Sequence, residues 1–228
     1  MPDTVNPPAS RLPVVVLISG NGSNLQAIID AQQSENLPLD IRAVISNRAN
    51  VHGLQRAQQA GITTHVIAHQ DYASREAFDQ ALQQVIDQYQ PGLVILAGFM
   101  RILTEAFVRH YEGRLLNIHP SLLPKFQGLH THQRALDAGE SEHGATVHFV
   151  THELDGGPAI LQARVTVAAG ETTQQLAQRV LLYEHRIYPQ VIRWFAEGRL
   201  KLQDNHVIFD NRQLHQPLQY PVTTHEAR

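Results

Sequence analysis

Three short stretches of the chain hold residue types that can do chemistry together. The first is Gly20-Asn21-Gly22-Ser23-Asn24, which follows the apolar run Leu12–Ser19 and precedes Leu25, Ile28 and Ile29 at helical spacing. Glycines at a strand-to-helix turn let the backbone approach an anion, and the free N–H groups of the helix start attract it. An ordinary turn with Ser23 and Gln26 as a capping box explains the same residues. The second stretch is Asn117-Ile118-His119-Pro120-Ser121, at the end of the apolar run Leu115–Ile118. Strand alternation puts Asn117 and His119 on one face, so an amide and an imidazole can point at one reacting centre. The amide donates to developing negative charge, and the imidazole serves as acid or base near neutrality. The third is Asp155 in Leu154-Asp155-Gly156-Gly157-Pro158. It is a turn former unless folding carries it to His119, where a carboxylate would orient the ring and favour its cation.

Other chemistries lack their residues. The absence of cysteine excludes thiolate nucleophiles, thiolate zinc sites and disulfides, and fits a reducing compartment. His130, His132, His143 and His148 lack metal-ligating spacing, and no metal is expected. Lys125 and Lys201 are the only lysines and neither follows the glycine loop, which excludes a Walker-type loop. A nucleophile elbow fails at Ser23, flanked by Asn21 and Leu25. Gly20 and Gly22 meet two positions of the dinucleotide pattern, but Leu25 takes the third. The second strand ends in Ser46-Asn47-Arg48, with no acidic residue for a ribose, while Arg48 facing a 2′-phosphate leaves an NADP enzyme open.

Lysine plus arginine number 18 against 21 acidic residues, a net charge of −3, so no basic excess points to nucleic acid or an anionic membrane. The longest apolar runs, near Val14–Ile18 and Leu93–Met100, fall far short of the ~20 residues a membrane helix needs. The opening Met1-Pro2-Asp3 has neither the basic region nor the apolar stretch of a signal peptide. A cytoplasmic protein with small-molecule substrates, monomeric or homodimeric, is the expectation.

Alternating strands and helices must position these residues. Leu12–Ser19, Ile41–Ser46, Thr64–Ile67 and Leu93–Leu96 read as strands, the first and last as runs buried on both faces. Ser74–Tyr89 reads as a helix capped by Ser74, with Phe78, Leu82, Val85, Ile86 and Tyr89 on one face. This alternation predicts an α/β fold with a mostly parallel sheet and right-handed crossovers. Ala145–Val150 and Ile160–Val167, joined through the Asp155 turn, read as an antiparallel pair. Thr172–Phe195 is a long helix that Pro189 is expected to kink or interrupt. At 228 residues, one domain over 12–204 is expected, with a disordered leader at 1–11 and a carboxyl-terminal appendage at 205–228.

With these residues laid out, the chain resembles the folate-dependent glycinamide ribonucleotide formyltransferases of purine synthesis. The blocks that carry the resemblance are VVVLISGNGSNLQAIIDA, LAGFMRIL, LLNIHPSLLP and HGATVHFVTHELDGGPAILQ, in that order, between about Val14 and Leu202. The resemblance implies a Rossmann-like, mostly parallel twisted sheet with helices on both faces and the two substrates meeting at its carboxyl edge. It implies 10-formyltetrahydrofolate as co-substrate, with no tightly bound cofactor, and a phosphoribosylglycinamide acceptor. Asn117, His119 and Asp155 would then be catalytic. Gly22, Ser23, Asn24 and Glu184 would bind the acceptor. Arg75, Met100, Arg101, Ile102, Leu103, Asn117, Thr151, His152, Glu153, Leu154 and Asp155 would line the folate site. Leu181, one turn before Glu184, is apolar where some relatives place a polar or basic residue, leaving the phosphate to backbone amides and the helix dipole. A formyltetrahydrofolate hydrolase would share the His119 block but carry an amino-terminal regulatory domain. A methionyl-tRNA formyltransferase would carry a basic carboxyl-terminal domain. Neither addition is expected here.

Overall fold

The computed structural model describes residues 11–35 and 37–221. The disorder expected of the leader therefore lies, apart from Arg11, outside the described residues. The main sheet has eight strands in the order β11-β7-β6-β5-β4-β1-β2-β3. They are β1 (Leu12–Ile18), β2 (Leu39–Ser46), β3 (Thr64–Val66), β4 (Leu93–Leu96), β5 (Leu115–His119), β6 (Glu142–Phe149), β7 (Ala159–Thr166) and β11 (Leu218–Gln219). Only β6 breaks the parallel pattern, running antiparallel to β5 and β7. The expected Rossmann-like, mostly parallel sheet is therefore present.

Strand alternation explains the two-sided core. Val14, Val16 and Ile18 feed one apolar cluster, whereas Val15 and Leu17 feed the other. The first cluster is covered by α1 (Ser23–Ser34), α2 (His52–Gln59) and α6 (Thr173–Ala196). The second is covered by α3 (Arg75–Gln88) and α4 (Glu105–His110). Ser74 caps α3 as expected, its side chain accepting the Ala77 N–H, and Phe78, Leu82 and Ile86 form the buried face.

Two local readings turn out differently. Of the kink or interruption expected at Pro189, the interruption does not occur: helix α6 runs through Pro189, which is itself buried. A proline removes one N–H bond, and here the buried face on either side of it, Glu184, Ile187, Tyr188, Val191 and Ile192, holds the helix together. The capping box of Ser23 and Gln26 is also absent. Gly22 is the N-cap, left-handed at φ 72°, and makes no side-chain cap bond. The Gln26 amide instead donates to Asp30, and its oxygen accepts from Arg56.

Beyond α6, β8 (Leu200–Gln203), β9 (His206–Phe209) and β10 (Arg212–Gln213) make a second, small antiparallel sheet. Its first hairpin turns at Asp204 and Asn205, so it straddles the expected domain boundary at residue 205. Leu200 and Val207 belong to the main core, and Leu218 rejoins the main sheet beside Leu161.

Candidate active site

Chain order reverses between β1 and β4: β2 and β3 extend the sheet one way, β4 and β5 the other. A crevice at the carboxyl ends of the strands is expected at such a switch point. The Gly20 loop leaves β1 there and the Met100 loop leaves β4. The Ser19 hydroxyl ties them, donating to Asn47 Oδ1 at 2.6 Å and accepting the Met100 N–H at 2.7 Å. Thr104 closes the second loop through its N–H to the buried carboxylate of Asp79, at 2.6 Å.

Backbone crowding shapes the glycine loop. A Cβ on Gly22 would meet the Cα of Gly53 at 2.6 Å, so the first turn of α2 packs directly on the loop. That turn also grips Asn21: His52 Nδ1 bonds its side chain at 3.0 Å, and Arg56 Nε donates to its carbonyl at 3.0 Å. The first hydrogen bond of α1 is Gln26 N–H to Gly22 O. The amides of Ser23, Asn24 and Leu25 precede it and are the donors a helix start offers an anion. A cavity of about 580 Å³ opens beside them, lined by Ser23, Arg56, His185 and Arg186 among others. His185 Nε2 is buried there without a hydrogen-bond partner, and burial, then Arg56, lower its pKa. Arg56 and His185 are cationic or protonatable groups that the motif reading did not single out. Their helices are distant in sequence, so no local spacing signals them.

Asn24 and Glu184, 160 residues apart, meet in the structure. Asn24 Nδ2 donates to Glu184 Oε2 at 2.7 Å, and Asn24 Oδ1 is left buried without a donor among the described residues. Burial raises the Glu184 carboxyl, opposed by the Asn24 bond.

Asn117 and His119 share a face of β5 as alternation requires, while Leu116 and Ile118 enter the core on the other face. The connection between β6 and β7 folds back so that Asp155 Oδ2 lies 3.4 Å from His119 Nδ1 and Oδ1 lies 3.8 Å from His148 Nε2. The Gly128 N–H donates to the same Oδ2 at 2.9 Å. His119 Nε2 donates to the Phe126 carbonyl at 2.9 Å. Both ring nitrogens thus face acceptors, an arrangement that the doubly protonated ring satisfies with two donors.

His148 was singled out only as a metal candidate, yet it lies opposite Asn117 in the β5–β6 ladder. Burial pushes its pKa well below the usual range, so it is neutral at pH 7. Its Nδ1–H donates to the Phe149 carbonyl at 2.8 Å, which leaves Nε2 to accept the Asn117 amide at 3.1 Å. The four histidines considered for a metal do not converge: His143 bonds His132 at 3.1 Å, while His148 faces Asn117.

The folate candidates form two surface segments. Met100, Ile102 and Leu154 are three of the six large apolar side chains left exposed among the described residues, and all three fall in the segments expected to line the folate site. Leu103 packs against the second core cluster, and Arg101 lies over the Phe78 ring with its Nε unpartnered. His152 and Glu153 are exposed and Thr151 is half-buried. Arg75 starts α3, 4.0 Å from Glu76, and makes no hydrogen bond or ion pair to another candidate among the described residues.

Comparison with known proteins identifies the family. The formyl transferase family model matches residues 12–192. The chain is 59% identical to the phosphoribosylglycinamide formyltransferase of Escherichia coli K12 over 201 residues, 88% of this chain and 95% of that protein. Identity to the corresponding Haemophilus influenzae protein is 46% over 201 residues, again 88% of this chain and 95% of that one. The phosphoribosylglycinamide formyltransferase structure from Coxiella burnetii, solved with CHES, superposes with a TM-score of 0.89 at 56% identity, covering 92% of this chain and 100% of that one. Fold and relatives agree, and the chain belongs to the phosphoribosylglycinamide formyltransferase family.

Proposed function

We propose that the chain transfers the formyl group of 10-formyltetrahydrofolate to the amine of phosphoribosylglycinamide, in purine biosynthesis. The observation that carries this reading is the approach of Asp155, from the β6–β7 connection, to His119 on the β5 face that also carries Asn117. The Ser23–Leu25 amides take the acceptor phosphate, with Arg56 and His185 beside them in place of the side chain that Leu181 does not supply. Asn24 Oδ1 and the Glu184 carboxylate face the acceptor ribose hydroxyls, which supply the donor that Asn24 Oδ1 lacks. The Met100–Leu103 and Thr151–Asp155 segments, with Arg75, hold the folate.

The neutral acceptor amine attacks the formyl carbon, forming a C–N bond and an oxyanion. One Asn117 amide hydrogen is hydrogen-bonded to His148, so the other is available to the oxyanion, while a protonated His119, its N–H groups directed at Asp155 and the Phe126 carbonyl, contributes its positive charge. The amine sheds a proton, the bond from the formyl carbon to N10 breaks, and N10 gains a proton, giving formylglycinamide ribonucleotide and tetrahydrofolate.

Purified protein with both substrates is expected to form equal amounts of tetrahydrofolate and formylated acceptor, and neither product when the acceptor is left out. Donor breakdown at an undiminished rate without acceptor would replace this reading with a formyltetrahydrofolate hydrolase.

A further inference from the structure

We infer that Arg134 is a positioning residue for the acid–base pair: from helix α5 (Thr131–Asp137) it clamps the loop whose backbone holds both His119 and Asp155. The inference rests on the roles proposed above for those two residues.

The loop 126–129 joins the pair from behind. Its Phe126 carbonyl accepts from His119 Nε2, and its Gly128 N–H donates to Asp155 Oδ2. Gln127 Nε2 adds a bond to the Asp155 carbonyl at 3.3 Å. A shift of this loop therefore moves the partner of each member at once.

The loop does not rest in that shape through its own backbone preference. Phe126, Gly128 and His130 are all left-handed, at φ 56°, 79° and 58°. The glycine adopts this freely, but the phenylalanine and histidine hold it only where surrounding contacts impose the conformation.

Arg134 supplies those contacts. Its NH1 donates to the Gln127 carbonyl at 2.6 Å and to the Leu129 carbonyl at 3.3 Å. Its guanidinium carbon lies 5.4 Å from the centroid of the Phe126 ring, within range of a cation–π contact. The His143 ring meets that same ring edge-on at 6.2 Å. No carboxylate pairs with Arg134 among the described residues, and its contacts there go to this loop and to its own helix. One guanidinium nitrogen bonds two carbonyls while the guanidinium carbon sits over a ring, a combination a lysine ammonium reproduces only in part.

Arg134→Ala is expected to lower kcat about tenfold to a hundredfold, the cost of a small misplacement of catalytic groups. Both KM values should change far less than kcat, because Asp155 is the one member of the substrate-holding segments that the loop touches among the described residues. Arg134→Lys should recover part of the loss, and millimolar guanidinium should raise the rate of the Ala variant without affecting the parent. Thermal unfolding of each variant reports whether it is folded. An Ala variant with the parent kcat, a rise in KM at unchanged kcat, or a loss that follows the unfolded fraction and ignores guanidinium would each overturn the clamp. His119→Ala, assayed in parallel, separates the two layers. Full activity in that variant sinks the proposed chemistry, whereas an inactive His119→Ala beside a fully active Arg134→Ala sinks the clamp alone.

Discussion

At the scale of single residues, the site is held by hydrogen bonds between groups with few alternatives. Asp155 has two oxygens and three nearby donors or rings: Gly128, His119 and His148. Burial keeps His148 neutral, so its single acceptor nitrogen fixes which way the Asn117 amide points. The proposed roles make His119 and Asp155 one unit. Either His119→Ala or Asp155→Asn should cost about 10²–10⁴ in kcat. The double variant should lose far less than the product of the two, as groups acting together do. A double-mutant cycle measured under saturating substrates checks this. Additive losses would leave Asp155 as a turn residue that happens to lie beside the ring.

At the scale of elements, the acceptor loop is a junction of β1, α1 and α2 rather than a property of its own sequence. Gly22 is left-handed, and its Cα side is filled by the backbone of Gly53. Even Gly22→Ala must push α2 away, loosening the grip of His52 and Arg56 on Asn21. The acceptor KM is expected to rise at least about tenfold, matching roughly 1.5 kcal/mol for one charge-assisted bond. The donor KM should change little, since the Met100 and Thr151 segments are separate from this junction. Steady-state kinetics with each substrate varied in turn distinguishes this from a general defect, in which both KM values climb together.

At the scale of the whole molecule, several histidines are buried as neutral rings, and this couples stability to pH. Desolvation pushes His143 down to about 4 from 6.5, and burial lowers His132 and His148 as well. The unfolded chain binds these protons first, so the stabilisation is complete above the unfolded value and is lost as pH falls through it. Between pH ~7 and ~5, His143 alone should remove about 2 kcal/mol. Glu184, raised by burial, has the opposite sign and loses stability as pH climbs above its unfolded value of 4.5. Urea unfolding at the two pH values should show a lower midpoint at the acid one. His143→Gln should flatten that difference by about the same 2 kcal/mol. An unchanged slope in the variant would mean that His143 is not the titrating group.

By itself the sequence determined the period of each element and the residues that close its ends. The unbroken apolar runs of β1 and β4 can only be buried on both faces, and alternation along β5 necessarily aims Asn117 and His119 the same way. Ser74 at the start of α3 is legible because a cap is a local bond. The folate-dependent chemistry was legible through motif blocks. Tertiary structure decided everything that needs distant segments to meet. The approach of Asp155 to His119, the bond from Asn24 to Glu184 and the role of His148 opposite Asn117 are contacts across 36, 160 and 31 residues, counted as 155 − 119, 184 − 24 and 148 − 117. Even the local reading of Ser23 as a cap failed, because Gly53 presses on Gly22 and selects the left-handed turn. Local patterns encode φ, ψ and burial period. Which side chains become partners is fixed only when the sheet order and the packing of helices bring them within a few ångströms.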